Sequence, residues 1–259
     1  MAAHGAFISD LHLLSKRSVG EHHWEQFRPE LKKLDLLILG GDIFDFRWSV
    51  HGDLLKSLEQ ARDWLYRALE ADRRIRLIYM LGNHDCQPDM QQLLREIAQE
   101  SERFCWSEHQ LVLNQNIFLH GDVLDAGLTF QDLHRYRSQF SQEHKEKSDL
   151  AHRMYDLVVA SRIHSVPPKL FHYPSRVVRR LSKYLSTLEL GPQQGVEDVF
   201  FGHTHRPLTG FSYAGQRFFN SGSAVRHLPF VPCFFQCEAD IDEVVLKLTE
   251  TPEIPLRVW

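Results

Sequence analysis

The sequence has little of what marks membrane or secreted proteins. No stretch approaches the run of about eighteen apolar residues that a transmembrane helix needs. The first ten residues lead directly into Asp10 and His12, which leaves no room for a signal peptide. The four cysteines are Cys86, Cys105, Cys233 and Cys237. Their number and spacing fit neither a disulfide framework nor a zinc knuckle, so we expect reduced thiols in a cytoplasmic protein.

The chain also has no excess of positive charge. Its net charge is −4, which argues against a broadly basic surface that would coat a nucleic acid, so no nucleic-acid partner is expected. Apolar residues make up 43% and charged residues 25% of the chain, as in ordinary globular proteins. We predict a single domain over residues 1–259. Histidine, with 16 residues, is the abundant type.

Apolar runs alternate with amphipathic stretches in the first half of the chain. Leu36 to Leu39 and Leu77 to Leu81 are apolar at consecutive positions, as parallel strands covered on both faces are. Leu54 to Leu69 and Met90 to Ile97 have helical spacing, and Pro88 opens the second of these helices. The alternation of strand and helix predicts an α/β protein with βαβ units.

Further elements are predicted on either side of this region. Trp24 to Leu34 has the spacing of a helix that Pro29 would kink. Gln110 to Leu113 and Ile117 to Leu119 have the pattern of a hairpin. Short strands of an antiparallel part of the sheet system are predicted at Thr209 to Tyr213, Phe218 to Asn220, Cys233 to Cys237 and Val244 to Leu248.

Polar side chains of the types that bind metals follow five apolar runs, at the point where each run ends. They are Asp10, His12, Asp42, Asn83, His120, His203 and His205. Two carboxylates, one amide and four imidazoles are too many ligands for one ion. Mixed oxygen and nitrogen donors without thiolate suit Mn²⁺, Fe²⁺ or Zn²⁺. The pattern therefore predicts a two-metal hydrolase, in which two ions clamp the attacking and leaving oxygens at phosphorus.

A long segment without a convincing strand separates Asp122 from Val199. We interpret residues of about 123–197 as a helical insertion that forms a lid, with a central break at Pro167 and Pro168. One apolar stripe runs from Leu150 to Val158 and a second from Val177 to Leu188, each at helical spacing.

The second stripe is accompanied by a basic face. Its residues are Arg176, Arg179, Arg180 and Lys183, with Arg162 and Lys169 before them in a stretch that has no acidic residue. Two interpretations stay open. The face is either simply solvated, or it binds substrate phosphates or an anionic membrane surface.

Five short motifs carry a family resemblance: SDLHL, GGDIFD, GNHD, HGD and GHTH, in this order over residues 9–205. Together they resemble the calcineurin-like metallophosphoesterase superfamily. The resemblance implies a fold of two mixed β-sheets packed face to face and flanked by helices. It also implies that the enzyme works with two divalent transition-metal ions per chain, for which Mn²⁺ is expected first and Fe²⁺ or Zn²⁺ next.

The resemblance assigns a role to each motif residue. It implies that one ion is held by Asp10, His12, Asp42 and His205. The other ion would be held by Asp42, Asn83, His120 and His203, so that Asp42 bridges the two. His84 matches the family histidine that contacts the scissile phosphate and assists the leaving oxygen, and Asp45 matches the carboxylate that orients this histidine.

Within the superfamily, the start FISDLHL, the phrase GHTHRP, the HGD motif and the long insertion resemble the UDP-2,3-diacylglucosamine hydrolases of lipid A synthesis. These enzymes cleave a pyrophosphate, release UMP and a lipid sugar phosphate, and shelter acyl chains under their insertion. One branch has arginine at the position of His84 and a second has histidine. The resemblance implies a lipid-linked nucleotide-sugar substrate and a peripheral position at the inner face of the cytoplasmic membrane.

Two other functions are compatible with the motifs. The first is a phosphatase or phosphodiesterase that acts on soluble nucleotides or other phosphoesters. The second is a binding module that has kept the fold and lost catalysis. Metal content separates the module from the enzymes, and a panel of substrates separates the two enzymes.

Overall fold

The computed structural model describes residues 2–127, 129–141 and 173–258. These residues form two β-sheets, one of five strands in the order β10-β1-β2-β3-β4 and one of six in the order β11-β5-β6-β7-β9-β8. The strands of the first sheet are β1 (Ala3–Ile8), β2 (Leu36–Gly40), β3 (Arg76–Met80), β4 (Phe104–Ser107) and β10 (Cys233–Cys237). Those of the second are β5 (Leu111–Leu113), β6 (Asn116–Leu119), β7 (Asp198–Phe201), β8 (Leu208–Tyr213), β9 (Gln216–Asn220) and β11 (Leu256–Val258).

Both sheets are mixed, which confirms the predicted fold class. In the first sheet β1 to β4 are parallel and β10 pairs with β1 in the antiparallel sense. In the second sheet β6, β7 and β9 are parallel, while β5 and β8 run antiparallel to their neighbours β6 and β9. The predicted hairpin is confirmed as β5 and β6, which pair from Leu111 with Phe118 to Leu113 with Asn116.

Seven α-helices lie in the described residues. They are α1 (Gly20–Phe27), α2 (Leu54–Glu70), α3 (Pro88–Glu100), α4 (Val123–Ala126), α5 (Phe130–Ser141), α6 (Pro174–Thr187) and α7 (Ile241–Glu250). Within the described parts of the chain, no helix combines the length and apolar character that crossing a membrane requires.

The two sheets pack face to face through an aromatic layer. Phe7 of β1 lies 6.1 Å from Phe118 of β6 and 6.2 Å from Phe200 of β7, measured between ring centroids. Phe235 of β10 lies 4.7 Å from Phe118. Each such ring, fully buried, contributes about 1.5–3 kcal/mol relative to an exposed one. This layer holds the two sheets in one fixed arrangement, which matters because the site described below draws residues from both.

Strands of the first sheet are covered on both sides, as their consecutive apolar residues predict. Leu37 and Leu39 of β2 face the helices α1, α2 and α3, whereas Leu36 and Ile38 face the second sheet. The outer face of the second sheet is covered by α6. The described molecule is therefore layered as helices, sheet, sheet and helix.

One predicted helix differs from the structure, and two strands were not predicted. The helix expected over Trp24 to Leu34 is not kinked at Pro29 but ends at Phe27, and a 3₁₀ turn, Arg28–Lys33, follows it. Proline has no N–H for the helical hydrogen bond, and here it occupies the first turn of the new element. The strand β4 (Phe104–Ser107) and the terminal strand β11 (Leu256–Val258) were not predicted.

The strand predicted at Val244 to Leu248 is wrong, because this stretch lies in helix α7. Asp240 caps the helix, since its side chain accepts hydrogen bonds from the N–H groups of Asp242 and Glu243. Val244, Val245 and Leu248 are buried at helical spacing against the core between the sheets. An apolar run of this length is compatible with either a strand or a helix, and the cap formed by Asp240 favours the helix.

Only part of the insertion lies in the described residues. The helix predicted from the stripe between Val177 and Leu188 is found as α6, Pro174–Thr187. The stripe from Leu150 to Val158, the break at Pro167 and Pro168, and the basic residues Arg162 and Lys169 lie outside the described residues. All four cysteines are free thiols and buried, as expected.

Candidate metal centre

The strand ends of both sheets meet at one edge of the molecule and bring the seven predicted ligands together. Asp10, Asp42 and Asn83 follow the parallel strands β1, β2 and β3 of the first sheet. His120 and His203 follow β6 and β7, which are parallel strands of the second sheet. Because the carboxyl ends of parallel strands lie on one side of a sheet, five separate sequence positions converge.

The first group of donors is Asp10, His12 and His205, whose ligand atoms all lie within 4.8 Å of one another. His205 Nε2 is 3.2 Å from Asp10 Oδ1 and 3.0 Å from His12 Nε2. Asp10 and His12 are fully buried. Burial lowers the pKa of His12 to about 4, so its imidazole is neutral and offers a lone pair.

The second group is Asp42, His120 and His203, again within 4.8 Å of one another. His120 Nδ1 donates to the carbonyl of Gly40 at 2.9 Å, and its Nε2 lies 3.4 Å from Asp42 Oδ2. His203 Nε2 donates to Asp125 Oδ2 at 2.8 Å. Such hydrogen bonds fix the tautomer and orientation of a metal-binding imidazole.

Two potential metal-binding atoms at this site make no hydrogen bond within the described residues. Asn83 Oδ1 and His120 Nε2 are both buried, and His120 Nε2 lies 3.4 Å from Asp42 Oδ2. An unpaired buried polar atom costs about 1–3 kcal/mol, and most such atoms have a partner, which a metal ion would supply here. Asp10 and Asp42 add two buried carboxylates to the same cluster. Its donors fit two divalent metal ions, which would satisfy the unpaired atoms and neutralise the carboxylates.

The backbone is strained at the same positions. The left-handed conformation, with φ between 49° and 67°, is adopted by Asp10, His12, Asp42, His203 and His205. Residues other than glycine rarely adopt it, at a cost of about 1–3 kcal/mol each, and they cluster at functional sites. The strain turns side chains from several strand ends inward.

Two glycines allow the strand ends to approach the carboxylates closely. A Cβ atom at Gly82 would overlap Asp42 Oδ1, and one at Gly202 would overlap Asp10 Oδ2. Steric crowding therefore explains why the GNHD and GHTH motifs have glycine at these positions.

His84 lies beside the cluster and is held by Asp45. Its Nδ1 donates to Asp45 Oδ1 at 2.9 Å, and its ring centroid is 5.0 Å from that of His12. Burial lowers the pKa of His84, but the Asp45 and Asp42 carboxylates outweigh it, so the pKa is raised above its usual value. Arg17 donates to Asp45 Oδ2 at 2.7 Å. Burial opposes ionisation of Asp45, but His84 and Arg17 hold its pKa well below its usual range.

Arg17 was not predicted, because nothing in its local sequence links it to Asp45, which lies in a different loop. Asp85, which follows His84, was also missed. This buried carboxylate accepts hydrogen bonds from Tyr79 Oη at 2.6 Å, Gly82 N at 2.7 Å and Ile43 N at 2.8 Å. Burial and the nearby Asp42 raise the pKa of Asp85 to about 6. It ties the GNHD loop to the loop that carries Asp42.

Arg137 of α5 is a third residue that sequence reasoning missed. Its buried guanidinium donates to Asp122 at 2.7 and 3.1 Å, to the carbonyl of Glu108 at 2.7 Å and to that of Leu81 at 2.9 Å. These partners follow β6, β4 and β3. One side chain of α5 thus connects strand ends of both sheets next to Asn83 and His120.

The four basic residues predicted to bind substrate do not join the cluster. They are exposed on α6: Arg176, Arg179, Arg180 and Lys183. Arg180 donates a hydrogen bond to the carbonyl of Leu124 in α4. The apolar face of the same helix, from Val177 to Leu185, is buried against the second sheet. That face packs on the protein core and is therefore not a free surface for acyl chains.

Comparison with known proteins agrees with this geometry. The family model of calcineurin-like phosphoesterases matches residues 6–207. Among solved structures, a dimetal phosphatase from Danio rerio is similar, with 13% sequence identity, a TM-score of 0.42, and coverage of 86% of this chain and 88% of that chain. No curated protein matches the sequence significantly.

The matched range contains every residue of the donor cluster as well as His84 and Asp45. The cluster itself supplies donors that fit two divalent ions. The chain belongs to the calcineurin-like phosphoesterase family and is a dinuclear metal-dependent hydrolase of phosphoesters.

Proposed function

We propose that this enzyme hydrolyses the pyrophosphate bond of UDP-2,3-diacylglucosamine and releases UMP and a lipid sugar 1-phosphate. The observation that carries the proposal is the buried donor cluster with the His84 and Asp45 pair beside it. The sequence adds the motif set FISDLHL, HGD and GHTHRP and the long insertion, which resemble the hydrolases of this substrate.

In this proposal the ligands divide between two ions. Asp10, His12, Asp42 and His205 hold one ion. The other is held by Asp42, Asn83, His120 and His203. The second set is supported by Asn83 Oδ1, which makes no hydrogen bond within the described residues, and by His120 Nε2, which lies 3.4 Å from Asp42 Oδ2. The close approach of His205 to Asp10 and His12 supports the first set. Mn²⁺ is the proposed native ion, because the donors are oxygen and nitrogen without thiolate.

When bound, two such ions polarise the phosphate and activate water for in-line attack. The proposed task of His84 is to contact the scissile phosphate and to give a proton from its Nε2 to the leaving oxygen. Asp45 holds the other ring nitrogen and favours the protonated form, in line with the raised pKa of His84. Arg17 fixes Asp45 from its far side.

The proposed place of action is the inner face of the cytoplasmic membrane. Support comes from the exposed basic residues on α6, each of which would contribute about 1 kcal/mol near an anionic surface. Since the apolar face of α6 is buried, this helix would act through charge alone.

A second function deserves a test because of that buried face. Because the apolar face of α6 is buried, this helix offers no surface for acyl chains, which removes one argument for a lipid substrate. The alternative of a phosphodiesterase for soluble nucleotides is favoured to that extent. The test compares UMP release from UDP-2,3-diacylglucosamine in detergent micelles with product release from generic phosphomonoesters and phosphodiesters. A kcat/KM for the lipid substrate at least about 100-fold above the others is expected, which corresponds to ~2.7 kcal/mol of transition-state binding. Equal or lower activity on the lipid substrate would favour the soluble phosphodiesterase.

A further inference from the structure

Helix α5 places two aromatic side chains beside His84. The ring centroid of Phe140 lies 5.9 Å from that of His84, and that of Tyr136 lies 4.9 Å from that of Phe140. His84 thus has a ring of the cluster, His12, as one neighbour and a ring of the insertion as another. Phe140 and Tyr136 are half-buried, so part of each ring remains accessible.

A cation is stacked on this aromatic surface. Arg47 Cζ lies 5.5 Å from the centroid of the Phe140 ring. Arg47 belongs to the 3₁₀ turn Phe46–Trp48, and Asp45 caps this turn by accepting from Trp48 N at 3.2 Å. The carboxylate that orients His84 therefore also fixes the backbone that carries Arg47. The positions of His84 and Arg47 are thus linked through Asp45.

The chemistry of this corner favours an anion. A guanidinium that stacks on an aromatic ring keeps N–H groups at its edge, and these match the oxygens of a phosphate in a bidentate manner. Tyr136 and Phe140 are half-buried, so water is partly excluded here. A charge-assisted hydrogen bond is worth more in such surroundings than in bulk water.

We propose that Arg47, Phe140 and Tyr136 form a leaving-group subsite that binds a second phosphate, and that this subsite selects phosphoanhydrides over simple phosphodiesters. The inference rests on the proposed function, in which His84 contacts the leaving oxygen. A substrate whose reacting phosphorus lies at the donor cluster then has its leaving group next to His84. In a phosphoanhydride that group begins with a phosphate, which is the part that Arg47 meets.

The test uses two substrates that both release UMP and differ in the leaving group. One is UDP-glucose, which loses a sugar phosphate, and the other is the p-nitrophenyl ester of UMP, which loses nitrophenolate. Arg47→Met is expected to lower the ratio of kcat/KM for UDP-glucose to that for the ester by about 10- to 100-fold, the value of one charge-assisted contact. Arg47→Lys keeps the positive charge but lacks the planar guanidinium, so its ratio of kcat/KM values is expected to lie between those of the wild type and Arg47→Met. Calorimetric titration of the manganese-loaded protein with glucose 1-phosphate is expected to show weaker binding to Arg47→Met.

Arg95→Met is the matched control. Arg95 also stacks on an aromatic ring, 5.3 Å from the centroid of Trp106, and pairs with Glu253, but its helix α3 contributes no residue to the donor cluster. Its substrate ratio and its affinity for glucose 1-phosphate are expected to match the wild type. Thermal melting of both variants separates a selective effect from loss of folding.

An unchanged ratio in Arg47→Met, with the variant folded, would overturn the inference and leave the proposed function standing. The same holds if the wild type cleaves the ester but releases no UMP from UDP-glucose. If the manganese-loaded wild type releases UMP from neither substrate and from no UDP-2,3-diacylglucosamine, the proposed function fails and the inference with it.

Discussion

The pair formed by His84 and Asp45 gives the sharpest prediction for a single substitution. Asp45→Asn keeps the size of the side chain and removes its charge. The carboxylate is fully buried, 2.9 Å from His84 Nδ1, 2.7 Å from an Arg17 nitrogen and 3.5 Å from His12 Nδ1. Its charge therefore acts on His84 without much screening by water.

The expected loss in rate follows from that hydrogen bond. A hydrogen bond to a charged group contributes about 1.5–3 kcal/mol, which is about a 10- to 100-fold change in kcat if the bond acts on the proton donor. The pH profile has a defined direction as well. Asp45 raises the pKa of His84, while burial and Arg17 lower it. Without the carboxylate the pKa falls, the protonated form is lost at lower pH, and the basic limb of kcat moves to lower pH.

The assay is the pH dependence of kcat for the wild type and Asp45→Asn on a chromogenic phosphodiester at saturating Mn²⁺. Metal content is measured on the same samples, because His12 lies near Asp45. Arg95→Met is a control for a substitution away from the cluster. A drop in kcat with an unmoved or upward-shifted basic limb, at wild-type metal content, would refute the role given to Asp45.

Three further predictions concern other parts of the molecule. The variant His84→Ala is expected to keep its metal and to lose about 10²–10⁴-fold in kcat. Loss of metal from this variant would instead show that His84 is a ligand, a role that its proximity to His12 and Asp42 permits. Arg137→Met leaves the buried Asp122 without its guanidinium and should lower the free energy of unfolding in urea by about 3–5 kcal/mol, with partial recovery in a double variant that adds Asp122→Asn. A loss below about 1 kcal/mol would contradict that account. Changing three exposed residues of α6 together to Glu, namely Arg176, Arg179 and Lys183, should weaken binding of the protein to anionic vesicles. Unchanged binding would show that this basic face is simply solvated.

Patterns that depend on short sequence windows were predicted well. The strands β2 and β3 are apolar at consecutive positions because both of their faces are buried. The polar residues that end each strand converge because parallel strands share an edge. That argument needs only the order of apolar runs and the identity of the next residues.

Features that depend on tertiary contacts were missed. The guanidinium of Arg137 donates to Asp122 and to two carbonyl groups that follow other strands. No local sequence pattern reveals these contacts. Arg17 is separated from Asp45 in sequence by helix α1, a 3₁₀ turn and strand β2. The run from Val244 to Leu248 was taken for a strand because its length is ambiguous, and the cap by Asp240 would have been the signal for a helix.

The central claim is that the chain binds two divalent ions through the cluster centred on Asp42. The most direct test is elemental analysis of protein purified without chelator and saturated with Mn²⁺. The account predicts two ions per chain for the wild type and His84→Ala, and loss of at least one ion with almost no activity for Asp42→Ala. At most one ion per chain in the saturated wild type, or two ions retained by folded Asp42→Ala, would contradict it.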